Sequence, residues 1–454
     1  MKTRAKAVHP LRDFARTSPA RAAAAVFVLA AVVFSALLAL PISTRDPQGT
    51  PLIDAIFTGV SAFTVTGLTT VDTASHWTPF GQVVILLAIQ TGGLGIVTIA
   101  LLLARAVTRH LGLHTKVFAQ QSIGTSKLGE VKTLLRIVVV TTLTIEGVLF
   151  VLLVPPFLTT EDHWWDAIWN ALFYAVSSFN NAGFSVHPGG LMSLSGNPWI
   201  LTPLAMGVFV GSFGFPVFLT LIVSKWHRKR WTLHTKLTLA TTTLLLIVGA
   251  IGWGALEWNN AATIGEASPL DKVLNALFAS TMMRSGGFAI TDTSASEPVT
   301  LLLSDALMFV GGGSASTAGG IKVTTLAVLF LAIIAEARGD KDLRVAFRSI
   351  PSETLRVAIS VTFLGATLVL GATGLILAAN PSVGLDRILF EVISAFATCG
   401  LSVGLSAELD TFSKAVLAVL MVAGRIGPVG LAAALALKQR KLLYDLPEER
   451  PIIG

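Results

Sequence analysis

Cysteine, tyrosine and charge are scarce in this 454-residue chain, which holds one Cys, two Tyr and only 13% Asp, Glu, Lys and Arg. A single cysteine, Cys399, excludes an internal disulfide framework, and its place inside a repeated motif fits a small packing side chain better than a redox group. The charged fraction compares with roughly 25% in soluble domains, which excludes an ordinary water-facing surface. Eight histidines offer no ligand cluster, since His110 and His114 stand one helical turn apart without a third ligand. No nucleophile, base and orienter come together in the sequence. Lys322 does not directly follow a glycine and no Ser or Thr comes after it, so the glycine run before it is not a nucleotide-binding loop. Enzymatic chemistry is therefore not expected. In place of charge stand apolar residues, 53% of the chain, with a mean hydropathy of +0.74. These values describe a polytopic membrane protein, and its helix-length spans and half-helices make an all-α fold the expectation.

One short stretch occurs four times. It runs from Asp54 to Leu68, from Asp166 to Phe184, from Asp271 to Phe288 and from Asp386 to Leu401, and superimposing the copies aligns Gly67, Gly183, Gly287 and Gly400. Each copy has an Asp placed as an N-cap, roughly ten to thirteen mostly apolar residues, a small or polar triplet, and then Gly before an apolar residue. Ten helical residues at 1.5 Å rise span about 15 Å, half of a hydrocarbon core of about 30 Å. These are expected to be re-entrant half-helices that aim their C-terminal carbonyls and negative dipole ends at the middle of the membrane. Four such ends on one axis favour a cation.

Around the half-helices, long apolar segments at 22–41, 79–104, 133–154, 198–224, 232–258, 298–336, 352–379 and 413–437 complete a fourfold order of span, half-helix, span. The expected units are a tail at 1–21, repeats at 22–104, 105–224, 225–336 and 337–438, and a second tail at 439–454. A basic start before an apolar run also describes a signal peptide, but without that run the first repeat would lack its first helix. Of 33 Lys and Arg, 26 fall in the two tails and the linkers between repeats. Both termini are therefore expected in the cytoplasm of a plasma-membrane protein, with the half-helices entering from outside. Topology accounts for the net charge of +7, so nucleic acid is not an expected partner. The linkers are a docking face for a partner or for phospholipid.

The residues that follow the half-helices carry the expected chemistry: Thr64, Val65, Thr66 and Gly67; Asn180, Asn181, Ala182 and Gly183; Arg284, Ser285, Gly286 and Gly287; Ala397, Thr398, Cys399 and Gly400. A selectivity filter needs backbone carbonyls that replace an ion's hydration shell, and glycine permits the conformation that turns them inward. The competing explanation, four glycine-closed C-caps, does not require four symmetric half-helices. Arg284 would repel a cation and is expected to point away from the axis. The second span of the third repeat is interrupted at 311–322 by Gly311, Gly312, Gly313, Ser314, Gly319 and Gly320, and such a break at membrane depth is expected where it lines a cavity. A kinked helix packed for close approach is the alternative. Arg425 and Lys322 are charges within spans and so are candidates for function. Arg425 can face the pathway, and Lys322 either joins the loop or snorkels to the cytoplasmic side. Glu146 partners a neighbouring helix or takes part in ion coupling. Close glycines at Gly92, Gly93, Gly95, Gly207, Gly211, Gly214, Gly424, Gly427 and Gly430 are expected to pack on the half-helices.

The four single-glycine motifs in order, the fourfold span arrangement and the glycine-rich third repeat resemble the Trk/Ktr/HKT superfamily of potassium transporters. The eight-span count without an extra N-terminal pair resembles its KtrB-like membrane subunits. That resemblance covers nearly the whole chain and implies K⁺ as the transported ion, and it leaves open Na⁺ dependence, whether as a driving or merely activating ion. It also implies a homodimer with one pore per subunit in the lipid bilayer, a cytoplasmic ring of nucleotide-binding regulatory subunits, and a gating role for the 311–322 loop and Arg425. A proton- or sodium-coupled symporter of the same superfamily is the alternative. The flanking residues depart from the TVGYG pattern of tetrameric potassium channels, which implies a shorter filter with weaker discrimination of K⁺ from Na⁺.

Overall fold

The computed structural model describes residues 19–110, 131–340, 342–345 and 348–427. The basic segment 1–18, the linker 111–130 with His114, Lys116 and Lys127, Lys341, and the end of the last expected span with the tail to residue 454 lie outside these residues.

The first quarter comprises α1 (Pro19–Leu38), α2 (Leu52–Phe63) and α3 (Pro79–His110). The second holds α4 (Val131–Thr160), α5 (Trp164–Phe179), α6 (Pro198–Gly211) and α7 (Phe215–Val223), and the third α8 (Leu233–Glu257), α9 (Pro269–Met282), α10 (Pro298–Phe309) and α11 (Val323–Arg338). The fourth is α12 (Ser352–Ala379), α13 (Leu385–Ala397) and α14 (Thr411–Ile426). Among the described residues the fold is all-α apart from a small hairpin, in which Leu343–Val345 pairs antiparallel with Arg348–Ile350. Helix starts follow familiar chemistry. Asn197, Thr232, Ser268 and Asp410 accept backbone N–H groups at their N-caps, and Pro198, Pro269 and Pro298 occupy the first helical position, where no N–H is needed.

Two sequence expectations need correction. Asp54, Asp166, Asp271 and Asp386 are not N-caps: Pro51, His163, Ser268 and Gly384 hold that position, and the carboxylates sit inside the first turn. There they complement the positive end of the helix dipole without capping it. The segment 198–224 is not one continuous helix either. It bends by 90° between α6 and α7, where Gly214 takes a φ of 88° as the N-cap of the new helix and Pro216 sits in its first turn, where no N–H is needed.

Among the described residues three helical stretches are long and apolar enough to cross a membrane: Val138–Thr160, Leu233–Glu257 and Ser352–Ala379. The second spans of quarters two and three are broken, and α14 is followed only to Ile426. The half-helices run for 12, 16, 14 and 13 residues, the longest about 24 Å, still short of a full crossing. Large apolar side chains on the first spans stay exposed, such as Leu29, Val151, Ile251 and Phe363. Outward-facing apolar helices of this kind belong against lipid, where no hydrophobic cost attaches to exposure.

The half-helices are the inner layer. Each packs on the first span of its own quarter, as α1 with α2, α4 with α5, α8 with α9 and α12 with α13. Each also receives the second span of the preceding quarter: α3 on α5, α6 on α9, α10 on α13 and, closing the circle, α14 on α2. The buried residues Ala55, Phe57, Phe173, Phe390 and Phe396 join one core cluster, and Tyr174, Phe179, Phe278 and Met282 join a second.

The closure between first and last quarters includes a buried ion pair, Lys414 Nζ to Asp54 Oδ1 at 3.0 Å, with each side chain 11% exposed. Breaking such a pair from one side leaves an uncompensated charge and costs roughly 3–5 kcal/mol, whereas replacing both partners by apolar residues is often close to neutral. Lys414→Met alone is expected to lower the melting temperature in detergent, and Asp54→Leu combined with Lys414→Met to recover most of the loss. A single mutant that melts like the parent would show that the pair carries no stability.

Candidate functional site

The four aligned glycines meet. All have positive φ: 93° at Gly67, 69° at Gly183, 73° at Gly287 and 94° at Gly400. A Cβ on Gly67 would strike the carbonyl of Ala182, one on Gly183 would come within 2.9 Å of the Cα of Gly287, one on Gly287 would lie 2.5 Å from the Cys399 carbonyl, and one on Gly400 would strike the carbonyl of Thr66. The glycines thus form a closed ring in chain order, and each lies close against the next quarter's backbone.

A second fourfold feature was not read from the sequence. The residue two places before each glycine also has positive φ: Val65 at 56°, Asn181 at 60°, Ser285 at 89° and Thr398 at 46°. Left-handed backbone at a β-branched residue is costly and persists only where the surroundings impose it. Here the surroundings are the half-helix ends. The N–H groups of Thr66, Ala182 and Cys399 donate back to the carbonyls of Ser61, Ser177 and Ser394, and that of Gly286 to Met282, at 2.7–2.9 Å. The side chains Val65, Asn181, Ser285 and Thr398 have nothing in common, which is why sequence inspection passes over the pattern.

Serine hydroxyls brace two of the turns. Ser61 and Ser394 accept the N–H groups of Gly67 and Gly400, both at 3.1 Å. The Thr64 hydroxyl donates to the Val60 carbonyl at 2.8 Å and pairs with that of Thr66 at 2.7 Å. Ser285 donates to the Thr398 carbonyl at 3.1 Å, tying the third turn to the fourth. Cys399 is free and buried, a small side chain as expected. Arg284 is 2% exposed and donates to the Thr242 carbonyl of α8 at 2.7 Å. It is directed at the first span of its own quarter. The second-span glycines let these ends come close: a Cβ on Gly92, Gly211 or Gly424 would collide with the carbonyl of Phe63, Phe179 or Phe396.

The break at 310–322 is a folded loop and not a kinked helix. Val310 and Ile321 form a parallel bridge, with Gly311 donating to the Ile321 carbonyl at 2.9 Å and Val323 to that of Gly312 at 3.1 Å. The loop seats in the bend of α6 and α7, where Gly313 donates to the Ser212 carbonyl at 2.7 Å and Phe215 to that of Ala315 at 3.2 Å. Gly214 is therefore not only a packing glycine; a Cβ there would strike the Ser314 carbonyl. The Ser314 hydroxyl meets that of Thr324 at 3.1 Å. Gly319 donates to the Ser285 hydroxyl at 3.2 Å, and a Cβ on it would strike the Thr398 hydroxyl. Gly320 supplies a positive φ of 66°. Thr317, a position that no sequence pattern marks, donates to the carbonyls of Phe179 at 3.1 Å and Gly211 at 3.0 Å, and its own carbonyl accepts from Arg425. Arg425 is 4% exposed, and its Nε and second terminal nitrogen have no hydrogen-bond partner among the described residues. Lys322 does not snorkel away: its amine folds back onto the Ala318 carbonyl at 2.7 Å.

Beside the second turn, Glu146 of α4 accepts from Asn180 at 2.9 Å and from Gln90 of α3 at 3.1 Å. No group of three or more His, Cys, Asp or Glu able to hold a metal occurs among the described residues. What the site offers a cation is four backbone turns at four helix C-termini, with acidic side chains absent from the turns themselves, so binding there would rest on carbonyl dipoles.

Comparison with known proteins agrees with this architecture. The chain is similar to the Ktr system potassium uptake protein B of Bacillus subtilis, 36% identical over 416 residues, covering 91% of this chain and 92% of that one. It is 32% identical to the potassium/sodium uptake protein NtpJ of Enterococcus hirae over 446 residues, covering 97% and 98% of the two chains. The crystal structure of the potassium transporter TrkH from Vibrio parahaemolyticus superposes with a TM-score of 0.72 at 17% identity, covering 91% of this chain and 85% of that one, which establishes a shared fold. The TrkH family profile, described as cation transport protein, matches residues 4–443. With that match across nearly its full length, the chain belongs to the TrkH family of cation transport proteins.

Proposed function

We propose that this protein takes up K⁺ across the plasma membrane through the ring of Gly67, Gly183, Gly287 and Gly400. The turns Thr64–Gly67, Asn180–Gly183, Ser285–Gly287 and Ala397–Gly400 serve as a short filter, and the 311–322 loop with Lys322 and Arg425 is its gate. The observation that carries this reading is the closed circle of four positive-φ glycines at four half-helix ends. A packing role for four C-caps would not bring them into mutual contact. Catalysis has no place in this reading.

Regulation comes through another subunit. Lys225, Arg228, Lys229, Arg230, Arg344, Arg348 and Arg356 are exposed and form the docking face for a cytoplasmic nucleotide-binding ring, in a homodimer with cytoplasmic termini. The name of the Enterococcus relative favours a second reading in which Na⁺ drives or activates uptake. Reconstitution into liposomes separates the two. Passive conduction predicts K⁺ flux that follows the K⁺ gradient alone, while coupling predicts that an imposed Na⁺ or H⁺ gradient accumulates K⁺ against its own. Vesicles that carry no K⁺ flux under any of these gradients would overturn the proposal.

A further inference from the structure

The position three residues before each ring glycine holds Thr64, Asn180, Arg284 or Ala397, and the side chains at these positions are fastened differently. Thr64 bonds within its own turn, and Arg284 bonds a backbone carbonyl of α8. Asn180 is held by side chains from two other helices. The two hydrogens of its amide nitrogen are shared among three acceptors, Glu146 of α4 at 2.9 Å, Gln90 of α3 at 3.1 Å and the Val176 carbonyl of its own helix at 2.9 Å. Gln90 in turn donates to the other Glu146 oxygen at 3.1 Å. Gly93 makes room for the amide, since a Cβ there would strike the Asn180 side-chain oxygen. Asn180 is 1% and Glu146 6% exposed.

A carboxylate inside a membrane protein is costly unless satisfied. Here its donors are Gln90 and the residue that begins the second turn, so the triangle fixes that turn against α3 and α4. We infer that Glu146 is a positioning residue for ion preference, its carboxylate holding Asn180 both directly and by way of Gln90, so that Asn181, Ala182 and Gly183 keep their place in the ring. This inference rests on the ring being the filter.

The triangle has a testable parity. Asn180 presents one nitrogen to both partners, so Gln90 and residue 146 must each turn an oxygen towards it. With Glu146 the carboxylate has a second oxygen to accept from Gln90. With Glu146→Gln, both amides that turn an oxygen to Asn180 must point nitrogens at each other, and one bond is lost whichever way the amides flip. Exchanging the two residues, Gln90→Glu with Glu146→Gln, restores all three bonds with the roles reversed.

The experiment is K⁺ and Na⁺ uptake by whole cells lacking their own uptake systems, with membrane protein level measured for each variant. A hydrogen bond to a charged group is worth about tenfold or more in an equilibrium, so Glu146→Gln is expected to reduce the ratio of Na⁺ to K⁺ half-saturation concentrations by about tenfold. The exchanged double variant should return the ratio to near the parent value. A purely structural Glu146 would lower protein level or maximal rate and leave the ratio unmoved, and that outcome overturns the inference, as does a double variant no better than the single. Gly183→Ser run in parallel keeps the two ideas apart. If it shifts the ratio and Glu146→Gln does not, the positioning role fails alone; if neither shifts it, the filter reading fails first.

Discussion

Gly67→Ser is expected to lose most of the preference for K⁺ over Na⁺ while the protein still reaches the membrane. Two effects act at this position. A side chain at positive φ costs roughly 1–2 kcal/mol, but the ring already tolerates Val65, Asn181, Ser285 and Thr398 at positive φ, so backbone strain alone does not decide the outcome. Contact does. The added Cβ would collide with the Ala182 carbonyl of the neighbouring quarter, and next to it lie the Ala182 carbonyl carbon at 3.2 Å and the Gly183 Cα at 3.3 Å. These are backbone atoms in a close-packed circle and cannot rotate away, so the second turn must move and the spacing around the ring with it. A change of 1.4 kcal/mol in the relative binding of two ions is a tenfold change in preference, and a displaced turn is expected to cost at least that. Gly371→Ala is the control, because nothing lies within 4 Å of that exposed position of α12, and removing a mid-helix glycine there is stabilising by roughly 0.5–1 kcal/mol. The measurement is competitive uptake of the two ions. A Gly67→Ser protein with the parent's ion preference would remove the ring from any account of selectivity.

The second large effect is expected at the loop. Deleting residues 311–320, or replacing Arg425 by Ala, should raise K⁺ flux in liposomes that contain no partner subunit. The loop is held by the bend of α6 and α7, by the Ser285 hydroxyl, by the Phe179 and Gly211 carbonyls through Thr317, and by Arg425. Of these ties Arg425 is the charged one, and hydrogen bonds of charged groups contribute about 1.5–3 kcal/mol, which is roughly 10- to 150-fold in the ratio of closed to open loop. Its partly unsatisfied guanidinium would also repel a cation entering that space, so removing it acts in the same direction twice. Thr317→Val, which removes the hydroxyl and leaves the Thr317 carbonyl for Arg425, should give a smaller rise. Flux that stays level or falls in both the deletion and Arg425→Ala, at equal protein content, would show that the loop supports the pathway instead of closing it.

Much of the site was legible because its demands are local. A half-helix that stops inside a membrane needs an apolar run of limited length, and a left-handed turn squeezed between backbones needs glycine, so the four motifs repeat visibly around Gly67, Gly183, Gly287 and Gly400. The break at 311–322 was legible for the same reason, since several small residues in a row cannot carry a span. The 90° bend after Gly211 was not, because Gly214 and Pro216 sit within a strongly apolar segment that reads as one span, and the loop that seats in the bend comes from the third quarter, about 100 residues away. The N-caps were misassigned for a simpler reason: an Asp in the first turn and an Asp at the cap look alike in sequence, and both suit the dipole.

The sequence by itself determined the membrane class, the four quarters, the aligned glycines and the residues of the broken span, since each follows from hydropathy, helix length or backbone freedom over a few neighbouring residues. Only the tertiary structure decided that the glycines close into a ring, that Arg425 reaches Thr317, that Asn180 is clamped by Gln90 and Glu146, and that Lys414 finds Asp54. These contacts join residues from 34 to 360 positions apart, and hydrogen bonds and ion pairs depend on separations of a few ångströms that no local pattern encodes.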